Sequence, residues 1–325
     1  MYKFLLAALP EKIDSKPGGL FEHIQTREDF IKDVFEGIEM APMAIRLTPH
    51  ILSVIDWSNA LDDPVRRQFI PMKSSALPDH PKLTMDSLSE EHDSPVNGLV
   101  HRYPDKALFL GKLKESSKRD NSTVADRWLT ATSICPLYCR FCTRSYAVGV
   151  NTSTVTKKTL KPSKNRWEDM FAYIEDTPTL NDIVVSGGDS YLLTPDQLYE
   201  IGRRLISIKH IRRFRFASKG LAVWPSRIVD PTDAWTAALI EVSKLARIEG
   251  KAVALHTHFN HPNEISWITA LAAKRLFVEG VTVRNQSVLL RGVNDDFLTM
   301  SSLIRALADI NIQPVGSRRR PNTQC

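Results

Sequence analysis

From about residue 180 the chain alternates two hydrophobic periods, and that alternation limits the possible folds more than any other feature. Residues 181–189, NDIVVSGGD, form a short apolar run ending in Gly-Gly, the pattern of a buried strand feeding a tight loop. Thr194-Pro195-Asp196-Gln197 then opens a helix, with Thr at the N-cap, Pro in the first turn and Gln placed to bond back to the cap. Leu198, Ile201, Leu205 and Ile208 continue it at helical spacing. RFRFASK reads as the next strand; Asp230-Pro231 starts a helix that Gly250 ends; KAVALHTHF is a strand again. Residues 265–279 are a helix closed by Gly280, VTVRNQSVLL is a strand, and residues 297–310 are a helix. Strands joined through helices lie parallel, because a parallel neighbour is reached only by a crossover. The class is α/β, and both a doubly wound sheet and a barrel satisfy the pattern. In either, chemistry collects at the carboxyl ends of the strands. Ser186-Gly187-Gly188-Asp189, Ser218-Lys219, residues 256–260 and Asn285-Gln286 fall there.

The chain before that point has another texture. Residues 27–38 read as helix, LTPHILSVIDW adds a second, and 71–99 is a Pro- and Asp-rich loop. Residues 111–126, GKLKESSKRDNSTVAD, are polar and read as a solvated loop. Hydrophobic residues at 42% are enough for a sizeable core in a chain of 325 residues. The net charge of +6 is spread along the chain without a basic block, so a small-molecule partner is expected and a nucleic acid is not. No stretch approaches membrane-spanning length, and MYKFLLAALPEK has no signal-peptide cleavage pattern. With only four cysteines, a disulfide framework is not expected. The expected location is therefore cytoplasmic, a mitochondrial one being left open.

Three of the four cysteines crowd into SICPLYCRFCTRS, residues 133–145, after a candidate strand RWLTATSIC. Buried structural thiols are one reading, though Arg and Thr interleave the cysteines. A zinc site is a second, but it needs four closed ligands, and Cys325 lies far off in the tail. The third is an iron–sulfur cluster on three thiolates, which leaves one iron open. The Gly187-Gly188 pair is either a tight turn or a place where backbone approaches a ligand, with Asp189 able to accept from an ammonium group. His256, His258 and Asn260 alternate and so share one face of their strand. They suit hydrogen bonding to a cofactor or to each other, with a metal site as the alternative.

Cys135-x3-Cys139-x2-Cys142, with Phe141 before the last cysteine, resembles the radical S-adenosylmethionine enzymes. Within them DDPVRRQFIP, DSPVNGLVHRYPDK, CPLYCRFCTRSYAVG, VVSGGDSYLLTPDQL, HTHFNHPNEI and NQSVLLRGVNDD resemble, in order, the lysine 2,3-aminomutase family. The resemblance implies a partial (β/α) barrel over 127–312, preceded by a helical N-terminal segment over 1–110. It implies a [4Fe–4S] cluster on Cys135, Cys139 and Cys142, served by an electron donor. S-adenosylmethionine would be held by Phe141, Ser186, Gly187, Gly188, Asp189 and His258. Pyridoxal 5′-phosphate would lie near Arg102, Lys106 and Gln286, Lys106 standing where an arginine is usual. Arg144 would grip the carboxylate of an amino acid, expected to be L-lysine, whose amino group moves from C2 to C3. A homo-oligomer is compatible with the resemblance. The alternatives are a radical enzyme without pyridoxal phosphate and an inactive cluster-binding remnant.

Two stretches depart from the family pattern. Residues 111–126 look inserted between HRYPDK and the first barrel strand. After INIQP the chain continues as VGSRRRPNTQC, so 313–325 is expected to be an atypical, truncated tail. The family's acidic substrate residues and its Schiff-base lysine have no counterpart in this sequence, so pyridoxal phosphate is expected to have only noncovalent contacts here.

Overall fold

A computed structural model describes residues 1–76, 84, 86, 88–110, 135, 137–146, 148–156 and 166–319. The expected insertion at 111–126, the candidate strand RWLTATSIC up to Ile134, and Cys325 lie outside the described residues. One seven-stranded sheet organises the rest: β1 (Leu99–Tyr103), β2 (Lys106–Leu110), β3 (Asp182–Ser186), β4 (Arg213–Ala217), β5 (Ala252–Thr257), β6 (Thr282–Leu289) and β7 (Gln313–Arg319). The strands stand side by side in that order; β1 is antiparallel to β2, and every later pair is parallel. A doubly wound sheet reverses its strand order at a switch point, and this one does not. That alternative is set aside.

The helix over Pro195–Ser207 forms as the sequence predicts. Thr194 Oγ1 accepts from Gln197 N–H at 3.2 Å, and Gln197 Oε1 accepts from Thr194 N–H at 3.0 Å. Its buried stripe, Leu198, Ile201 and Leu205, packs with Leu239 and Val242 of the helix Ala234–Ile248 in the layer covering the sheet. Phe109, Ile183, Val185, Phe214, Phe216 and Leu255 contribute the sheet's share of this core. Gly250 and Gly280 end their helices at φ +66° and +73°.

Three expectations are corrected. The helix expected from Asp230 starts later, at Ala234, because Asp233 supplies the cap by accepting from Thr236 N–H at 2.8 Å. Asp230 instead folds its own turn, accepting from Thr232 N–H at 2.8 Å. Among the described residues the first parallel strand is Lys106–Leu110: ALFL follows the Pro104-Asp105 turn, pairs along β3 from Lys106↔Asp182 to Leu110↔Ser186, and puts HRYPDK inside a hairpin. The sheet thus begins within the segment expected to be helix and loop. The tail does not leave the sheet at 312 either, since Gln313–Arg319 pairs with β6. An edge strand needs only a neighbour's backbone groups, so the lack of an apolar period in VGSRRR did not prevent pairing.

The N-terminal segment packs as the helix Arg27–Met40, with a capping box between Thr26 and Asp29, and the helix Pro49–Val54. Among the described residues no helix is long and apolar enough to cross a membrane.

Candidate functional site

The cysteine loop is held mainly by the N-terminal segment. Tyr138 N–H donates to Arg46 O at 3.0 Å and Arg140 N–H to Gln68 O at 3.1 Å, while Arg140 Nη1 reaches Arg67 O at 3.1 Å. Cys135 and Cys142 pack against Ala41, Met43, Tyr138 and Val148; Cys139 packs with Phe141, Val288 and Leu290 on the sheet side. None of the three is bridged to another. Burial pushes the Cys139 thiol up to about 12, partly offset by the nearby Lys219. Cys135 is raised well above the usual thiol value by burial first, then by Cys142, Asp189 and Cys139. Thiols that perturb one another in this way share one neighbourhood, and bound metal is what would relieve the cost of ionising them together.

Among the described residues no three His, Cys, Asp or Glu side chains converge as a single ion requires. A four-iron cluster makes no such demand, because each thiolate holds a different iron. Three thiols on one loop are the donor set that a three-thiolate cluster would need.

The facing loop follows β3. Gly187 sits at φ +133°, a backbone conformation open to glycine, between Ser186 and Gly188. Asp189 does structural duty there: Oδ1 accepts from Tyr191 N–H at 2.8 Å and Oδ2 from Lys219 N–H at 2.9 Å. Burial raises its carboxyl, against hydrogen bonds from Ser218, Tyr191 and Lys219. The loop is thus tied to the end of β4 before any ligand arrives.

Phe141 and His258 stack, with ring centroids 4.9 Å apart and planes at 12°. Lys219 Nζ stands 5.6 Å from the Phe141 ring, donates to His258 O at 2.5 Å and pairs with Glu264 at 2.8 Å. Glu264 is fully buried, and its other oxygen accepts from Gln68 Nε2, Asn260 N–H and His261 N–H at 3.1, 2.8 and 2.9 Å. Asn260 adds Nδ2 to Gln68 Oε1 at 2.9 Å and accepts Val288 N–H at 2.8 Å. Sequence reasoning placed Lys219 at a strand end without a role and passed over Glu264 and Gln68.

Arg144 lies two residues past Cys142, and its guanidinium holds Glu90: Nε to Oε2 at 2.8 Å and Nη2 to Oε1 at 2.7 Å. Its pKa is raised, because Glu90 outweighs the opposing effect of burial. Nη1 faces Ser186 Oγ at 3.4 Å.

Arg102 and Lys106 are not brought to this end of the sheet. Lys106 pairs with Asp182, the first residue of β3, whereas the glycine loop follows Ser186; four residues of strand separate the two by about 13 Å. Lys106 sits 3.5 Å from Asp105, and Arg102 donates to Leu88 O at 3.0 Å. Gln286 lies in the carboxyl half of β6, opposite Gly316. The three residues expected around one phosphate thus do not form one group, because the β1–β2 hairpin turns at the amino ends of the parallel strands.

The fold and site define an α/β protein with a thiol-bearing loop closed over a Gly-Gly-Asp loop at the carboxyl edge of a parallel sheet. No family model matches the chain. It is 35% identical to the L-lysine 2,3-aminomutase of Acetoanaerobium sticklandii over 287 residues, 88% of this chain and 58% of that protein. With the L-lysine 2,3-aminomutase of Clostridium subterminale it shares 35% over 285 residues, 87% of this chain and 59% of the other. The glutamate 2,3-aminomutase of Clostridioides difficile is 28% identical over 292 residues, 88% and 57% of the two chains. The chain spans less than two thirds of the length of these relatives. The similarity to L-lysine 2,3-aminomutases runs through 87–88% of this chain.

Proposed function

We propose that the chain is a radical S-adenosylmethionine enzyme of the 2,3-aminomutase type, built as a partial (β/α) barrel and acting on an amino acid, L-lysine first. The observation that carries this is the meeting of Cys135, Cys139 and Cys142 with the Asp189 loop and Arg144 at one edge of the sheet. The three thiolates would hold a [4Fe–4S] cluster, which when bound supplies a single electron to S-adenosylmethionine. The chain's own groups then divide the remaining work. Gly187 and Gly188 let backbone approach the cofactor closely, and Asp189 keeps that loop in place. The stacked Phe141 and His258 wall the site with ring faces and exclude water. Arg144 fixes the substrate carboxylate, and with it the distance of the reacting carbon. Relatives named for lysine and for glutamate support an amino-acid substrate as a class.

Arg102 and Lys106 do not fit a phosphate at this edge, so no step is derived through pyridoxal phosphate. That placement favours a second reading, S-adenosylmethionine cleavage without pyridoxal phosphate. Titration with pyridoxal phosphate separates the two, a new visible absorbance band supporting the aminomutase. The cluster is tested by anaerobic reconstitution followed by iron and sulfide analysis. About four irons per chain are expected, with loss of cluster in Cys139→Ala. A Cys139→Ala protein that keeps a full complement of iron and sulfide sinks the assignment.

A further inference from the structure

Arg144 presents two edges, and among the described residues only one of them is spent. Glu90 takes the side-on edge with both oxygens, at 2.8 Å from Nε and 2.7 Å from Nη2. Tyr146 Oη holds Glu90 from behind, donating to Oε2 at 3.2 Å. Glu90 is buried, only 8% exposed, so this carboxylate is a fixed wall and not a passing surface partner. The end-on edge, Nη1 and the second hydrogen of Nη2, is left facing Ser186 Oγ, whose 3.4 Å separation is too long for a good N–H···O bond. Ser186 closes β3 and precedes Gly187, so the unspent donors point at the mouth where the site's loops meet.

We infer that Glu90 is the positioning residue for substrate recognition: by clamping Arg144 side-on, it turns the end-on edge toward the carboxylate of the amino acid. The inference rests on the reading of Arg144 as the carboxylate site. An unclamped arginine samples many rotamers, and ordering it costs entropy each time a ligand binds. Glu90 and Tyr146 hold it in one. The clamp also neutralises the guanidinium, so selectivity comes from the alignment of two parallel N–H donors more than from net charge. A carboxylate offers two acceptors to that edge. A carboxamide offers one acceptor and sets an N–H against an N–H.

The test uses the anaerobically reconstituted chain with S-adenosylmethionine present, and compares L-lysine with L-lysinamide by titration calorimetry. The parent should prefer the acid. Glu90→Gln keeps the side chain's size but only one acceptor. It should cut that preference by about tenfold, the loss of one well-aligned charge-assisted hydrogen bond, and weaken lysinamide binding less than lysine binding. Glu90→Asp, which keeps the charge, should restore part of the preference. A merely structural Glu90 would lower the melting temperature without changing the acid-to-amide ratio. If the ratio is unchanged in Glu90→Gln but lost in Arg144→Ala, the inference is wrong and the carboxylate site stands. If the ratio rises in Glu90→Gln, Glu90 competes with substrate, and the inference is wrong again. A parent that shows no preference, or an Arg144→Ala variant that keeps it, overturns both.

Discussion

Replacing Glu264 with methionine should be among the most damaging single changes available near the site. The carboxylate is fully buried and accepts four hydrogen bonds: from Lys219 Nζ on one oxygen, and from Gln68 Nε2, Asn260 N–H and His261 N–H on the other. Its partner Lys219 is only 6% exposed; besides Glu264 its ammonium has the His258 carbonyl and the faces of Phe69 and Phe141. Removing one member of a buried ion pair costs about 3–5 kcal/mol, because the other charge stays behind. Glu264→Met also strips three N–H donors of their acceptor, each about 1–3 kcal/mol if it stays dry. A simple sum exceeds what relaxation and entering water would allow, so about 5 kcal/mol is expected. Lys219→Met leaves the three N–H bonds to Glu264 in place and should cost less, about 3 kcal/mol. The double variant should be milder than the sum of the two, since an apolar pair of similar volume needs no compensation. Urea unfolding with linear extrapolation measures all three. Against a total stability of about 5–15 kcal/mol, the first change brings the chain close to its folding threshold. Two single variants each within about 1 kcal/mol of the parent, or a double variant that is strictly additive, would refute the claim that this pair is dry and coupled.

The pH dependence of stability should carry the mark of His50, whose pKa is lowered by burial and whose Nε2 has no hydrogen-bond partner among the described residues. The folded state favours the neutral ring, so this contribution is fully present above the unfolded value of about 6.5 and is lost as pH falls through the lowered folded value. The urea midpoint should therefore drop from pH 7 to pH 5, and less steeply in His50→Gln; identical slopes would rule the residue out. In Gly37→Ala, the added Cβ would lie 2.8 Å from the backbone of Met72 and Lys73, atoms that cannot swing aside. The helix Arg27–Met40 would have to shift, costing about 1–3 kcal/mol; an unchanged thermal midpoint would show that this contact is looser than it looks.

What could be read from the sequence was local. The Thr194–Gln197 box, Gly250 and Gly280 each act within one turn, so a few consecutive residues reveal them. Asp230 and Asp233 are both credible caps by type, and only the N–H that each can reach decides between them. Strands at and next to the sheet's edges gave weaker signals. β7 carries no apolar period over Gln313–Gly316, which are exposed, and β2 was masked by a turn-like sequence that belongs to its own hairpin. Strand direction then decided the phosphate question. Lys106 and Ser186 belong to paired strands, yet lie at opposite ends of them.

Partnerships within the site were illegible for a different reason. Glu90 lies 54 residues from Arg144, and Lys219 lies 45 from Glu264. Charge pairs across such separations leave no period, and an acidic residue in a polar stretch such as SEEHDSP looks solvated until the fold buries it. The same logic explains how the site tolerates a long connection between β2 and Cys135. The cysteine loop is fastened by Tyr138 to Arg46, by Arg140 to Gln68 and by Arg144 to Glu90, all contacts with the N-terminal part of the chain. Its position does not depend on a short tether from β2. Lengthening a flexible connection costs only about 0.6 kcal/mol per doubling, no more than a typical single hydrogen bond contributes. Residues can therefore accumulate between Leu110 and Cys135 while the geometry around Cys139, Phe141 and Arg144 is kept.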